Sequence, residues 1–344
     1  MNNLQLTYTP YTTKLKKPFE TSNTTITNRE GFILILKSEM KYLGIGEAAP
    51  LPEFGSETFE EDEKALENFN LKLRIDLGNI EKSIKENLKD YDNLPSLKCG
   101  LELAILKLLC SEKKTSIPAL LKRDYPEFIF VNGVLGFTPI TEVKKTATDF
   151  VKEGLKTIKI KVGRDDFKKD LNTIKEIRNA AGKGIKIRID ANAKWDKDEA
   201  IEHLNELEQY NIEYAEQPVK DLDDFLFLKG KTKIPLAADE SIRSMKDAKG
   251  FVNNKAVSFL ILKPMMLGGI LPTLKIADFA KEHGIQTIVT SSFESVIGRV
   301  GVVNAAALIN NDLVHGLGTG NYFDEQNLPD PFPVSGGKIL FGTK

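Results

Sequence analysis

The chain has 344 residues, 41% hydrophobic and 28% charged, enough apolar material for one large domain with a smaller companion and too much for a disordered polymer. Lys plus Arg number 48 against 49 Asp plus Glu, a net charge of −1, so no global field favours nucleic acid or an anionic membrane, and neither is expected as a partner. There is no run of about 18 apolar residues and no signal-peptide-length apolar stretch near Met1, so the reading is a cytoplasmic protein.

In chain order, residues 2–10 alternate through Leu4, Leu6 and Tyr8 and predict a strand. The segment KLKKPFETSNTTITNREG is polar, contains Pro18, and reads as a mobile loop. GFILILKSEMKYLGIGEAAP gives two strands around a turn at Ser38 to Lys41, completing an antiparallel meander. Ser56 and Glu57, with the acidic residues after them, suit a helix N-terminus. SLKCGLELAILK, from Ser96 to Lys107, predicts a helix buried on all sides. Cys99 and Cys110 fall in this helix, roughly 16 Å apart by helical rise and too far to bridge, and read as free thiols. Residues 1–120 therefore form an expected α+β capping domain.

From Phe128 the pattern becomes alternation of strand and helix. Strands are expected at FIFVNGVLG, TIKIKVG, IKIRID, IEYAEQ, IPLAAD, VSFLILK, IQTIVTS and LVHGLG. These are about eight repeats, the number that closes a (β/α) barrel. An open doubly wound sheet is set aside, because VNGVLGFTP matches its Gly-rich phosphate loop poorly. The fold class is thus α/β, a modified (β/α) TIM-type barrel over residues 121–320 with an N-terminal α+β cap. Residues 321–344 are expected to return to the cap.

Polar residues stand at the C-terminal ends of these strands, where buried runs should be apolar: Lys159 and Lys161, Asp190, Glu216, Asp239 and Lys263. From Lys161 onward they recur every 23 to 29 residues, and a closed barrel brings such strand ends into one ring. Lys159 and Lys161 point the same way because strand side chains alternate. Two ammonium groups side by side in a desolvated mouth repel, which favours a neutral amine able to act as a base. Asp190, Glu216 and Asp239 are hard oxygen donors in the number that suits Mg²⁺, or Mn²⁺. Asn192 and Glu240 adjoin them as supporting residues. Lys263, from a later strand, sits across the pocket from Lys161. A cation between two opposed lysines fits removal of a proton next to a carboxylate, through an enediolate.

Lys159-Ile160-Lys161, Asp190-Ala191-Asn192 with Trp195, Glu216-Gln217-Pro218, Asp239-Glu240-Ser241 and Lys263-Pro264 resemble the enolase superfamily, which uses a Lys or His base with Mg²⁺. The lysine-lysine branch, with muconate cycloisomerases, dipeptide epimerases and o-succinylbenzoate synthases, is the nearest in pattern. That resemblance implies metal ligands at Asp190, Glu216 and Asp239 and acid-base lysines at Lys161 and Lys263. GIGEAAPLPEFGSET, LKPMMLGG, TSSFESVIG and HGLGTGNYF look most like o-succinylbenzoate synthase. Dipeptide epimerases commonly carry Asp-x-Asp after the last strand to hold the substrate ammonium; here Gly318-Thr319-Gly320 stands instead. The seventh strand carries Thr290-Ser291-Ser292, so the His-base branch is not matched, and His203, His283 and His315 read as structural.

The resemblance implies dehydration of 2-succinyl-6-hydroxy-2,4-cyclohexadiene-1-carboxylate to 2-succinylbenzoate, a step towards menaquinone, so the expected partner is a small-molecule carboxylate. Ser291, Ser292, Gly318 and Thr319 are its candidate contacts, with the cap segments Lys14 to Thr27 and Gly46 to Thr58 selecting the substrate. An N-acylamino acid racemase or dipeptide epimerase is the alternative, and a non-catalytic barrel the remote one. The sequence does not give the oligomeric state.

Overall fold

The computed structural model describes residues 4–20, 24–69, 75–76, 78–323 and 329–342. The cap opens with β1 (Leu4–Glu20), β2 (Thr25–Ser38) and β3 (Leu43–Ala48), an antiparallel sheet in chain order. Behind it lie α1 (Phe59–Glu67), α2 (Ile80–Asn87), α3 (Pro95–Lys113) and α4 (Ile117–Leu121). Inward residues of β2, Phe32, Leu34 and Leu36, are fully buried, as alternation requires. Close packing of β3 on α3 needs a missing side chain: a Cβ at Gly46 would lie 1.9 Å from the Gly100 carbonyl oxygen. Helix α3 is buried almost all round, with Cys99 and Cys110 both free and buried.

The polar segment expected as a loop is instead strand. β1 runs to Glu20 and pairs with β2 up to Glu20–Thr25, with a bulge between Lys14 and Phe19. Leu15, Phe19 and Ile26 are buried against Met265, Met266, Phe293 and Phe323, a payload that outweighs the local polarity. The turn at 21–23 lies outside the described residues. Helix α1 also starts later than expected. Thr58 is its N-cap, in a capping box with Glu61, and Ser56 instead binds the loop before it.

The parallel sheet runs β5 (Gly133–Leu135), β6 (Thr157–Lys161), β7 (Lys186–Asp190), β8 (Ile212–Glu216), β9 (Leu236–Ala238), β10 (Phe259–Leu262) and β11 (Gln286–Val289). Between and after these strands come α5 (Ile140–Lys152), α6 (Phe167–Ala181), α7 (Lys197–Leu207), α8 (Leu222–Leu228), α9 (Met245–Asn253), α10 (Pro264–Leu267), α11 (Ile270–Glu282) and α12 (Val296–Ile309). The eighth position is filled by the LVHGLG segment through parallel bridges from His315 to Val131 and from Gly316 to Thr290. Outward residues such as Ile158, Ile160, Ile187 and Ile189 pack on the helices in one core, each full burial being worth about 1.5–3 kcal/mol.

FIFVNGVLG, expected as one strand, divides. β4 (Phe128–Phe130) leaves the barrel to pair with β13 (Lys338–Leu340), itself paired with β12 (Val334–Ser335). The tail thus docks on β4, with Phe341 5.4 Å from Tyr125 between ring centres; residues 324–328 and 343–344 lie outside the described residues.

Cap and barrel share polar ties as well as a core. Glu47, fully buried at the end of β3, accepts hydrogen bonds from Tyr11 Oη (2.6 Å), Ser295 N (2.8 Å), Gly298 N (2.8 Å) and Ser295 Oγ. A cap carboxylate therefore caps the barrel helix α12, where N–H groups and dipole favour an anion. Glu47→Ala leaves these donors without a partner and is expected to cost about 3–5 kcal/mol. Urea unfolding checks it, with Glu47→Gln expected to cost less than half as much.

Candidate active site and metal centre

The polar strand ends meet because the register puts them side by side. Lys161 pairs with Asp190 across β6 and β7, and Asp190 with Glu216 across β7 and β8. Asp239 follows β9 by one residue and Lys263 follows β10 by one. All of them except Lys263, which is partly exposed, are buried. One oxygen from each of Asp190, Glu216 and Asp239 lies within 4.8 Å of the others. Three hard donors in that space fit a divalent cation.

In this structure the lysines supply the balancing charge. Lys159 Nζ bonds Asp190 Oδ2 at 2.7 Å and also Glu216 Oε1. Lys161 Nζ donates to Asp190 Oδ2 and Asn192 Oδ1, both at 2.7 Å. Lys263 Nζ bonds both oxygens of Asp239. Asn192 Nδ2 donates to Glu240 Oε1 at 2.7 Å, so Lys161, Asn192 and Glu240 form a chain. Asn192 and Glu240 thus touch the ring at its edge.

The electrostatics differ from the sequence expectation for Lys159. Burial pulls its ammonium down, but Asp190, Glu216 and Asp239 outweigh burial and hold it well above the usual lysine range. Lys263 follows the same balance, with burial opposed by Asp239 and Glu240. Burial raises Asp190, yet Lys159 and Lys161 hold it far below the usual carboxylate range. Glu216 is pushed well up, by burial and then by Asp190, with Lys159 opposing. For Lys159 the repulsion between ammonium groups foreseen from sequence loses to the acids because its Nζ contacts Asp190 and Glu216 directly.

Strained backbone shapes the strand ends. Asn192, Gln217 and Phe293 have φ of +47°, +39° and +59°, in the left-handed region. Gln217 shows what this achieves. Its Oε1 accepts from Asp239 N at 2.8 Å, while its Nε2 donates to Ser241 Oγ (2.6 Å) and Val219 O (2.8 Å). It ties the end of β8 to the turn carrying Asp239, a positioning role that the Glu216-Gln217-Pro218 motif alone did not disclose.

A cleft over the ring is lined by Lys159, Lys161, Asp190, Asp239 and Lys263 on its floor. Ser291, Ser292 and Thr319 stand on its wall with Thr290 and Gly316. Ser292 Oγ is buried without a hydrogen-bond partner among the described residues, whereas Ser291 Oγ bonds Glu294 Oε2 at 2.6 Å. Gly318 stands off the wall against the Asn132 carbonyl, and Gly316 takes the place expected for it. Phe19, Leu51, Phe54, Val134 and Phe293 form an apolar roof. Sequence reasoning located two of the segments that supply it without naming these residues. His203 stacks on Phe167 at 3.8 Å, and His283 Nδ1 bonds the Phe279 carbonyl. His315 accepts from Val289 N at 2.9 Å, and burial with Arg188 lowers it to about 3. Among the described residues no helix is long and apolar enough to cross a membrane.

Residues 142–344 match the family described as Enolase C-terminal domain-like, and residues 7–108 match the MenC N-terminal domain. The chain is 31% identical to an L-Ala-D/L-Glu epimerase of Clostridium acetobutylicum, over 85% of this chain and 83% of that protein. It is 31% identical to an o-succinylbenzoate synthase of Thermobifida fusca, over 58% of this chain and 63% of that protein. It is 28% identical to Protein PHYLLO, chloroplastic, of Arabidopsis thaliana over 87% of this chain, which spans only 20% of that protein's length. Among solved structures, the dipeptide epimerase of Enterococcus faecalis V583 complexed with Mg and dipeptide L-Leu-L-Tyr superposes with a TM-score of 0.91 at 27% identity, covering 99% of this chain and 98% of that one. Matches that take in both halves of the chain, on a barrel whose strand ends are arranged in this way, make it a member of the enolase superfamily.

Proposed function

We propose that the chain is an o-succinylbenzoate synthase, a hydro-lyase that dehydrates 2-succinyl-6-hydroxy-2,4-cyclohexadiene-1-carboxylate to 2-succinylbenzoate. One observation carries this choice within the family. Among the described residues, the carboxylates lining the cleft are Asp190 and Asp239 on its floor, both committed to the ring, so none is free for a substrate ammonium. Gly318-Thr319-Gly320 stands where epimerases commonly place two aspartates. The match of residues 7–108 to the MenC N-terminal domain supports the same reading.

In this reading Asp190, Glu216 and Asp239 hold Mg²⁺, with Mn²⁺ as a substitute. A divalent cation there supplies fixed positive charge for the negative charge that develops on the substrate carboxylate. Lys161, held by Asn192 Oδ1, takes the proton from the carbon bearing the ring carboxylate. The C–H electron pair moves first onto the carboxylate, giving the enediolate, and then returns to form the ring double bond as the C–O bond to the hydroxyl breaks. Lys161 then returns the proton to the departing hydroxyl, so that water leaves and the ring becomes aromatic. Lys263 faces the ring from the opposite side as a cation. Ser292 Oγ, buried and without a partner, donates to a substrate carboxylate, with Ser291 and Thr319 beside it. The apolar roof excludes water from the reacting carbons.

A dipeptide or N-acylamino acid epimerase is the second reading, favoured by 31% identity to an L-Ala-D/L-Glu epimerase over 85% of the chain. Both begin by removing a proton beside a carboxylate, so the assay has to separate the outcomes. The wild type is expected to consume the diene, followed by loss of its ultraviolet absorbance, without racemising L-Ala-L-Glu in deuterated water. The reverse pattern would replace the first reading by the second. Lys161→Ala is expected to lower dehydration by about a thousandfold or more while leaving fold and Mg²⁺ binding unchanged.

The lysine-acid contacts give a test that needs no substrate. Without divalent cation, Lys159→Ala strips Glu216 of its ammonium partner and is expected to cost about 3–5 kcal/mol in urea unfolding. Millimolar Mg²⁺ is expected to recover most of that loss, and Asp239→Asn in the same background to abolish the recovery. Equal losses with and without Mg²⁺ would remove the triad from the role of cation site.

A further inference from the structure

The cap segment over the barrel mouth has two fixed stems and a tip that packs through Leu51 and Phe54 on Met265, Met266 and Phe293 but hydrogen-bonds mainly to itself. On the first stem, Arg29, itself buried, donates to the carbonyls of Ala49 (2.5 Å) and Pro50 (2.7 Å). On the second, buried Glu57 accepts from Ser96 N and Ser96 Oγ (both 2.8 Å) and Leu97 N (3.0 Å) at the start of α3. Between them the tip closes on itself, with Phe54 N bonded to Leu51 O, Gly55 N to Pro52 O, and Leu51 N to Ser56 Oγ. Among the described residues one hydrogen bond joins this tip to the barrel. Arg243 Nη1 donates to the Gly55 carbonyl at 2.6 Å, while its Nε donates to Glu240 O at 3.0 Å.

The tip matters because of what it carries. The Phe54 ring centre lies 5.3 Å from Lys263 Nζ, within reach of a cation–π contact, and the ring lines the cleft above Asp239 and Lys263. Gly55 has φ +84°, and a Cβ there would lie 1.8 Å from Arg243 Nη1. The guanidinium therefore packs directly on that residue, in space that only glycine leaves open. Because the bond is exposed to solvent, it breaks at low cost, as a segment that must open for substrate requires.

We propose that Arg243 is a positioning residue that latches the Leu51–Ser56 tip to the barrel, and that Phe54, so held over Lys263, is the wall on which the planar ring of the substrate stacks. The latch stands on the hydrogen bonds alone; the stacking of a planar ring rests on the function proposed above. Closure places an aromatic face against the ring and removes water from the side of Lys263. Opening frees the cleft for product to leave.

The latch is read by proteolysis, without turnover. A Glu-specific protease cuts after Glu53 only when the tip is open. Arg243→Ala and Gly55→Ala are each expected to raise the initial cleavage rate there by about tenfold or more, with unchanged thermal melting, and Arg243→Lys to restore part of the protection. The wall is read by kinetics on the diene carboxylate. Phe54→Ala and Arg243→Ala are both expected to raise KM more than they lower kcat, and Phe54→Tyr to restore the wild-type KM. Equal cleavage of wild type and Arg243→Ala would overturn the latch. Faster cleavage with KM unchanged in Arg243→Ala and Phe54→Ala would remove Phe54 from the substrate wall. A wild type inert towards the diene would overturn the proposed dehydration, and the cleavage ratio would still decide the latch.

Discussion

Three acids and three ammonium groups share the end of one barrel, and neither set can be buried there without the other. At 4 Å, two like charges in a medium of effective dielectric near 20 repel by about 4 kcal/mol. Asp190, Glu216 and Asp239 would repel in this way if left alone with their oxygens within 4.8 Å. Lys159, Lys161 and Lys263 quench that repulsion at contact distance, and two of them share a single oxygen of Asp190. The ring is thus stable as an assembly and costly in any of its parts. A dication held by the triad would compete with the lysines for the same oxygens, since all three acids are now in contact with an ammonium group.

Holding such a ring demands rigid surroundings, and the backbone provides them. The in-register ladder of Lys161, Asp190 and Glu216 fixes three positions by strand pairing alone. Asp239 lies beyond its strand and needs a separate brace, supplied by Gln217 from the neighbouring turn. Side-chain amides suit this duty because they donate and accept at once. The strain at Gln217, with φ +39°, is stored where the brace has to reach across.

What the sequence disclosed followed from local rules. A lysine or acid at the inward position of a β-branched run can point only into the barrel, so the positions of Lys159, Lys161, Asp190 and Glu216 were legible from alternation. Asp239 and Lys263 followed from the spacing of one strand-helix unit. What stayed hidden depends on partners far along the chain. Leu15, Phe19 and Ile26 look like isolated apolar residues in a polar stretch until Met265, Met266, Phe293 and Phe323 are packed on them. The division of FIFVNGVLG was invisible because Lys338–Leu340, which captures its first half, lies about two hundred residues away. The charge on Lys159 was misjudged for a related reason. Sequence shows its neighbour Lys161, but only the fold shows that Asp190 and Glu216 contact its ammonium directly.

Glu47 links these observations to how such proteins could be rebuilt. The N-cap of the last barrel helix stands three residues after Ser292, and the first turn is bound by a carboxylate that arrives from the opposite end of the polypeptide. The two halves are therefore poor modules for shuffling. A foreign cap grafted onto this barrel without an acid at that place would leave the N–H groups of Ser295 and Gly298 without their carboxylate, with only the Ser295 hydroxyl still capping α12. An exchange of halves that keeps this contact has to carry Glu47 together with Ser295 and its turn, so the end of β3 and the start of α12 travel as one unit.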